Sequence, residues 1–293
     1  MLKLNQALAI QLSVLVSVFI FTVFTAPVAQ AIDAADKRAV ALKHYKWLGE
    51  VPKAKLIRII NPFGAITSRN TSYNNVELSG VIQKIGQDSI TQNSSADQIS
   101  ITDVDGVTEV VVSYPQGNKN SQGQLIGRFD LGVWVPSWVA VEMTTDFGDI
   151  KVKKHASNII AKTHSGKIKI GSAGRVIASS YSGDIKVDLY GERWHQAMDI
   201  SSVTGNVKVN VSRTANINLQ ALSGNDIKHN LTNFDNITTT IGDDHQLTAQ
   251  FDQQGQRRLR TPLQLTATHG QLSVYVADQP AYQIKATPKL FNL

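Results

Sequence analysis

The sequence Gly148-Asp149-Ile150-Lys151-Val152 decides the fold of this chain, because near copies of it return at a short interval. The leading glycines of these copies are Gly166, Gly183 and Gly205 and, in weaker copies, Gly224 and Gly270. The glycines at positions 148, 166, 183 and 205 are separated by 18, 17 and 22 residues. A short and nearly constant period is typical of folds in which repeated units stack on one another.

The copies share one pattern on both sides of the glycine. Apolar residues stand seven and five residues before it and two and four residues after it, and steps of two are the period of a strand with one buried face. The residue three before the glycine is always small: Thr145, Thr163, Ser180, Ser202, Ala221 and Ala267. The phase changes by one residue between these two runs, which predicts a tight corner. Glycine suits such a corner because it adopts positive φ without strain.

One unit of this length cannot fold alone. Ordering it costs roughly 1.5 kcal/mol per residue, whereas each buried aliphatic side chain returns about 1.5–3 kcal/mol. Stacked neighbours supply the missing contacts and place equivalent residues about 4.8 Å apart. The sequence therefore predicts an all-β fold, a β-solenoid or β-helix-like stack of units of 17–22 residues. An antiparallel meander or sandwich is the alternative, but it does not require one shared column order.

Sequence outside the strong copies is less regular. Ile57 to Ile66 repeats the alternation around a further corner glycine, Gly64. Asp105-Gly106 predicts a two-residue turn between the strands of a β-hairpin. After Gly224 one extra residue precedes Ile227, which indicates a bulge. The stretch from 234 to 251 predicts one more unit, and the path of residues 225–262 is left open.

The first 31 residues predict an export signal. Lys3 is the only charged residue before the end of an apolar run from Ala7 to Phe24, and Ala29-Gln30-Ala31 is a typical cleavage pattern. The run is longer than the core of most signals, so an uncleaved membrane anchor is the alternative. Cleavage after Ala31 would place the mature chain in the periplasm or outside the cell.

The remaining chain divides into four parts. Within a capping segment, 32–50, the run from Ile32 to Trp47 predicts a short amphipathic helix that blocks the open end of the stack. Residues 51–132 predict a less regular β-repeat half, 133–276 a regular half and 277–293 a C-terminal tail. No linker-like composition separates the two halves, so we expect them to share one core.

The pattern resembles a family of bacterial exported β-strand-repeat proteins called putative adhesins or domains of unknown function. The resemblance rests on Asn61-Pro62-Phe63-Gly64-Ala65-Ile66, on Val133-Trp134-Val135-Pro136 and on the Ser/Thr-Gly-Asp-Ile-Lys-Val phrases. It covers about residues 50–276, although the copies after Gly224 depart from it. It implies an adhesin-like role and brings no site residues.

Lysine recurs three residues after the glycine in four successive copies, as Lys151, Lys169, Lys186 and Lys208, and Lys228 follows the bulge. In a parallel stack these residues form a column of ammonium groups about 5 Å apart. The column predicts a binding site for an anionic polymer such as surface polysaccharide, lipopolysaccharide phosphate or extracellular DNA. The alternative is a solvated face that keeps sheets from pairing, with Asp149 and Asp184 offsetting part of its charge. Nucleic acid is disfavoured because no aromatic residues interleave with the lysines in sequence.

The sequence contains no recognisable catalytic or metal-binding motif. The absence of cysteine excludes a disulfide framework and a thiolate metal site. His164 and His269 precede repeat glycines in distant units, and the remaining histidines lack ligand spacing. A polysaccharide-cleaving enzyme would need two carboxylates on one groove, and Asp149 and Asp184 lie two units apart, about 10 Å.

The formal net charge is +6, or +5 after loss of Lys3 with the signal (6 − 1), which is compatible with an anionic partner. The sequence therefore predicts an exported, non-catalytic, adhesin-like protein without cofactor or metal. Its predicted partner is an anionic polysaccharide or an envelope protein. The alternatives are a periplasmic accessory protein that binds another envelope protein and, less favoured, a polysaccharide-active enzyme.

Overall fold

A computed structural model describes residues 40–84, 99–113, 127–192, 194–231, 238–240, 245–251 and 260–277 of the 293-residue chain. Every regular element in these ranges is a β-strand, and the strands form two sheets, one of 10 and one of 11 strands. The all-β prediction is therefore confirmed for this part of the chain. The predicted export signal, 1–31, and nearly all of the predicted tail lie outside it.

The 10-stranded sheet contains, in spatial order, β1 (Val40–Glu50), β4 (Asn75–Lys84), β7 (Gly127–Pro136), β3 (Ile66–Thr71), β9 (Ile150–His155), β11 (Ile168–Ser172), β13 (Ile185–Leu189), β15 (Val207–Ser212), β21 (Leu272–Ala277) and β17 (Ile227–His229). The 11-stranded sheet contains β18 (Thr238–Thr240), β19 (His245–Phe251), β16 (Ile217–Ser223), β20 (Thr261–Ala267), β14 (Met198–Ser202), β12 (Val176–Ser180), β10 (Ile159–Thr163), β8 (Ala140–Thr145), β2 (Leu56–Ile60), β6 (Val107–Val112) and β5 (Ile99–Val104). We call two consecutive strands, one in each sheet, a layer.

The central layers pair in parallel and in register. In the 10-stranded sheet Ile168 lies between Ile150 and Ile185, and in the 11-stranded sheet Ile159 lies between Val141 and Val176. These pairs are the ones expected when the repeated copies in the chain are aligned with one another on their glycines. An antiparallel meander is contradicted for these strands. Their inward aliphatic side chains belong to one buried core shared by both sheets.

At both ends the spatial order of the layers departs from their order in the chain. The β2–β3 layer lies between the β6–β7 and β8–β9 layers, and the β20–β21 layer lies between the β14–β15 and β16–β17 layers. Antiparallel strands follow at the sheet ends: β4 and β1 beside β7, β5 beside β6, and β19 beside β16. The predicted extra unit at 234–251 is therefore wrong for residues 245–251, which form an antiparallel strand.

The register after Gly224 also differs from the sequence alignment. Leu263 pairs with Leu219 rather than Ile217, and Ser223 pairs with Ala267. The next strand begins at Ile227, four residues after Ser223, whereas the four layers from β8–β9 to β14–β15 and the β20–β21 layer use five. The predicted one-residue bulge is therefore wrong, because this corner is one residue shorter than those.

The predicted N-terminal helix is also wrong where the structure describes it. Val40–Glu50 is strand β1, antiparallel to β4. Tyr45 and Trp47 alternate with exposed residues and pack on the core. The sequence here carries a period of two, and pairing with β4 outweighs its weak helical pattern.

The predicted hairpin is confirmed. Strands β5 and β6 pair antiparallel around Asp105 and Gly106, whose φ angles are 54° and 77°. Positive φ at both positions is what this type of two-residue turn requires. Elsewhere in the described ranges, no helix has the length and apolarity needed to cross a bilayer.

Candidate binding face on the ten-stranded sheet

The structure brings the four predicted lysines together on the outer face of the ten-stranded sheet. Lys169 pairs with Lys151 on one side and Lys186 on the other, and Lys186 pairs with Lys208. Three of them are exposed and Lys186 is half-buried. We call these four residues the lysine column. Neighbouring strands in a sheet lie about 4.8 Å apart, so the column spans three such steps.

The fifth lysine does not join the column. Ser273 of β21 pairs with Lys208, and Lys228 pairs with Ser273. The inserted β20–β21 layer therefore separates Lys228 from Lys208. At the opposite end the column is followed by Thr67 of β3.

The lysine column has no carboxylate partner among the described residues. The two aspartates expected to offset its charge have another use. Asp149 Oδ1 accepts a hydrogen bond from the backbone N–H of Lys167, 2.8 Å away, and Asp184 Oδ1 accepts one from Asn206 N at 2.9 Å. Both carboxylates thus join one layer to the next at the corner, and neither forms an ion pair with a column lysine.

The corner glycines hold the layers together by allowing close contact. A Cβ atom on Gly148 would lie 2.0 Å from the carbonyl oxygen of Gly64, and one on Gly183 would lie 1.6 Å from that of Gly166. The same relation links Gly166, Gly205 and Gly270 to the glycine of the preceding layer. Among the described glycines, only Gly64 and Gly106 have positive φ, so the conformational explanation from sequence is wrong for the others. Gly224 lies outside this column, against the carbonyl of Thr268.

The small residue before each glycine has a defined role. The hydroxyls of Thr145, Thr163 and Ser202 donate to the carbonyl oxygens of Gly64, Gly148 and Gly183 at 3.1–3.3 Å. Ser202 Oγ also accepts the N–H of its own Gly205 at 3.0 Å. Along one edge of the stack, the hydroxyl residues, the glycines and the aspartates therefore form three columns. Hydrogen bonds link the hydroxyl residues and the aspartates to a neighbouring layer, and close backbone contact links the glycines.

Aromatic side chains stand beside the lysine column. Lys208 Nζ lies 4.9 Å from the ring centre of Tyr275. The Tyr190 ring covers Gly171, two residues after Lys169, because a Cβ on Gly171 would lie 3.1 Å from that ring. Burial and then the Asp188 carboxylate raise the pKa of Tyr190. Sequence reasoning missed both tyrosines because they come from other strands and corners.

The opposite sheet presents a different surface. There Arg58 lies between Glu142 and Glu109, at 3.0 and 3.2 Å. Hydrogen bonds to Glu142 and then Glu109 raise the pKa of Arg58. Outward positions on the next strands include the apolar Ile160 and Ile177. Unpaired positive charge in consecutive layers is therefore a property of the ten-stranded sheet.

The histidines serve structure in this region. His164 stacks on Tyr181 with ring centres 4.9 Å apart at the exposed corner. His155 is buried, and its Nε2 lies 2.6 Å from the carbonyl oxygen of Val139. Burial lowers the pKa of His155 to about 4. Within the described ranges, no three histidine or acidic side chains are arranged to hold a metal ion.

Fold and site together define a class, an all-β repeat protein with a cationic face on one sheet. No family model matches the chain, and no curated protein matches it. Solved structures with some likeness include a putative cell adhesion protein from Clostridium sporogenes, 10% identical, with a TM-score of 0.42 over 80% of this chain and 100% of that one. A putative adhesin from Bacteroides fragilis is 9% identical, with a TM-score of 0.38 over 80% of this chain and 97% of that one. Likeness at this level assigns no function.

Proposed function

We propose that this chain is an exported, adhesin-like, non-catalytic protein whose layers form a β-solenoid and whose lysine column binds an anionic envelope or extracellular polymer. The observation that supports the proposal is the lysine column itself, with four ammonium groups in register and without carboxylate partners. A rigid sheet presents these charges at fixed spacing, so little conformational entropy is lost when an extended polyanion binds.

The alternative of a merely solvated face is less consistent with the arrangement. Like charges on neighbouring strands repel by roughly 1 kcal/mol per pair in water. A soluble surface normally mixes charges of both signs and avoids this cost. Here the nearby carboxylates of Asp149, Asp184 and Asp188 accept hydrogen bonds from other groups, and none of them forms an ion pair with a column lysine.

An enzymatic role for these aspartates is also disfavoured. The two carboxylates lie two layers apart, about 10 Å, and each holds the backbone of the following layer. A glycosidase pair needs one carboxylic acid and one carboxylate that face the same bond. Their hydrogen bonds support a role in joining layers.

The test is binding of heparin, used as a polyanion probe, at increasing salt. The parent should bind with affinity that falls steeply with salt, because bound polymer releases counterions. Changing Lys151, Lys169, Lys186 and Lys208 to Gln should abolish binding. The matched control changes four exposed lysines away from the column, Lys46, Lys53, Lys55 and Lys162, to Gln and should retain most of it.

Two results would contradict the proposal. Equal losses in the column variant and the control would show that only net charge matters. A protein partner that co-purifies from an envelope extract with parent and column variant alike, at any salt, would favour the accessory-protein alternative. The mass of the mature N-terminus from exported material tests the proposed cleavage after Ala31.

A further inference from the structure

Two rows of side chains on the ten-stranded sheet together fit one kind of polymer. The first row is the lysine column. Beside it, Tyr190 covers Gly171 in one layer and Tyr275 lies under Lys208 near the other end. Tyr275 follows Ser273, the partner of Lys208, by two residues, and the Tyr190 ring lies over Gly171, two residues after Lys169. A chain bound to the ammonium groups would therefore also meet aromatic surface.

We infer that the lysine column binds a linear polyuronate, a glycan that carries one carboxylate on each sugar, laid across the strands with one sugar on each layer. This inference rests on the proposed function and names its polymer class. The ammonium groups pair with the carboxylates by charge-assisted hydrogen bonds. The weakly positive C–H face of a sugar ring packs on the negative face of a tyrosine ring.

Spacing favours a glycan over nucleic acid. The strands lie about 4.8 Å apart, close to the length of one sugar unit in an extended chain. In duplex DNA each strand places one phosphate per ~3.4 Å of helix axis, a spacing that does not keep register with the column. The column also lacks arginine, the side chain that grips phosphate with two parallel hydrogen bonds.

The test is calorimetric titration at low salt with oligogalacturonates of increasing length. Affinity should rise steeply up to four sugars, one for each layer that carries a column lysine, and slowly beyond that. Inorganic polyphosphate and oligothymidylate of equal charge should bind more weakly. Changing Tyr275 to Leu should weaken oligogalacturonate binding several-fold and leave polyphosphate binding unchanged, since only a sugar packs on the ring. Tyr73, which is exposed in another part of the chain, provides the control as Tyr73→Leu.

The outcomes separate the two proposals. If polyphosphate or oligothymidylate binds as tightly as oligogalacturonate, or if Tyr275→Leu weakens all polymers equally, the polyuronate inference is overturned. Heparin binding that depends on the column would leave the proposed function standing in either case. If the parent binds neither heparin nor oligogalacturonate, both proposals fail.

Discussion

Each residue of the repeated phrase has a separate structural role. The hydroxyl residue donates to the preceding layer, the glycine admits a carbonyl oxygen, and the aspartate accepts an N–H from the following layer. Ile and Val fill the core, and Lys faces solvent. The glycine is the most constrained residue of the phrase, because the nearest atom to it is a backbone carbonyl oxygen of the preceding layer. That oxygen cannot move without breaking contacts between layers.

Gly183→Ala should destabilise the protein by about 1–3 kcal/mol or more, because the new methyl group would lie 1.6 Å from the carbonyl oxygen of Gly166. Gly171→Ala is the matched control. Its nearest contacts, at 3.1 Å, are Tyr190 side-chain atoms that can shift, so stability should stay within about 1 kcal/mol of the parent. Urea unfolding midpoints at equal m-value measure both. Equal losses would contradict the close-contact explanation.

His155 should make stability depend on pH. Its pKa is about 4 in the folded state and 6.5 in the unfolded state, so the unfolded chain binds more protons between these values. Stability should be complete above pH 6.5 and fall by about 3 kcal/mol as the pH drops towards 4. The measurement is the difference in unfolding free energy between parent and His155→Gln across this range. Parallel pH profiles would show that His155 does not titrate in this way.

At the scale of the element, the central strands show why a column of like charge is tolerated. The strand period of two places Ile168 and Ile170 in the core and Lys169 on the outer face. Parallel, in-register pairing then places identical or similar residues next to one another on neighbouring strands. Core burial of about 1.5–3 kcal/mol for each aliphatic side chain exceeds a repulsion of roughly 1 kcal/mol for each lysine pair. The fold therefore tolerates the column of like charge.

Lys169→Gln should stabilise the unliganded protein at low salt, by up to about 2 kcal/mol, because it removes repulsion from two neighbours. The gain should shrink at high salt as the charges are screened. Lys162→Gln on β10 is the control, since Thr144 and Ser179 flank it and no gain is expected. Thermal unfolding at two salt concentrations gives the comparison. A gain that is independent of salt would mean that repulsion is not its cause.

At the scale of the whole molecule, the order of layers at the C-terminal end is the main finding. The β20–β21 layer is inserted between two layers that are consecutive in the chain, so Thr261–Ala267 has parallel partners on both sides. The two layers that flank the inserted layer, β14–β15 and β16–β17, precede it in the sequence. Both of these layers therefore pair with the inserted layer and not with each other.

Engineered disulfides test this order directly, because the chain has no cysteine. Lys208→Cys with Ser273→Cys should form a bridge under mild oxidation, since the two positions pair on adjacent strands. Lys208→Cys with Lys228→Cys should not, because two strand steps separate them by about 10 Å, beyond disulfide reach. Mass spectrometry of peptides from the oxidised protein distinguishes the two results. A bridge only in the second pair would mean that the layers stack in chain order.

The sequence alone predicted the all-β class, the strand period, the tight corner and the register of the four strong copies. These follow from alternation and spacing within single units, and Ile150, Ile168 and Ile185 pair as those columns require. It also predicted the hairpin at Asp105, because positive φ at two successive residues is a local requirement.

Long-range contacts determine which layers are neighbours at the two ends. Every layer offers a similar edge of N–H and C=O groups and a similar aliphatic face, so the period carries no information about partners far away in the chain. For that reason Ser273, rather than Lys228, follows Lys208, and Val40–Glu50 becomes a strand that covers an open edge. The same long-range contacts brought Tyr190 and Tyr275 beside the lysines, which no spacing in the sequence could show.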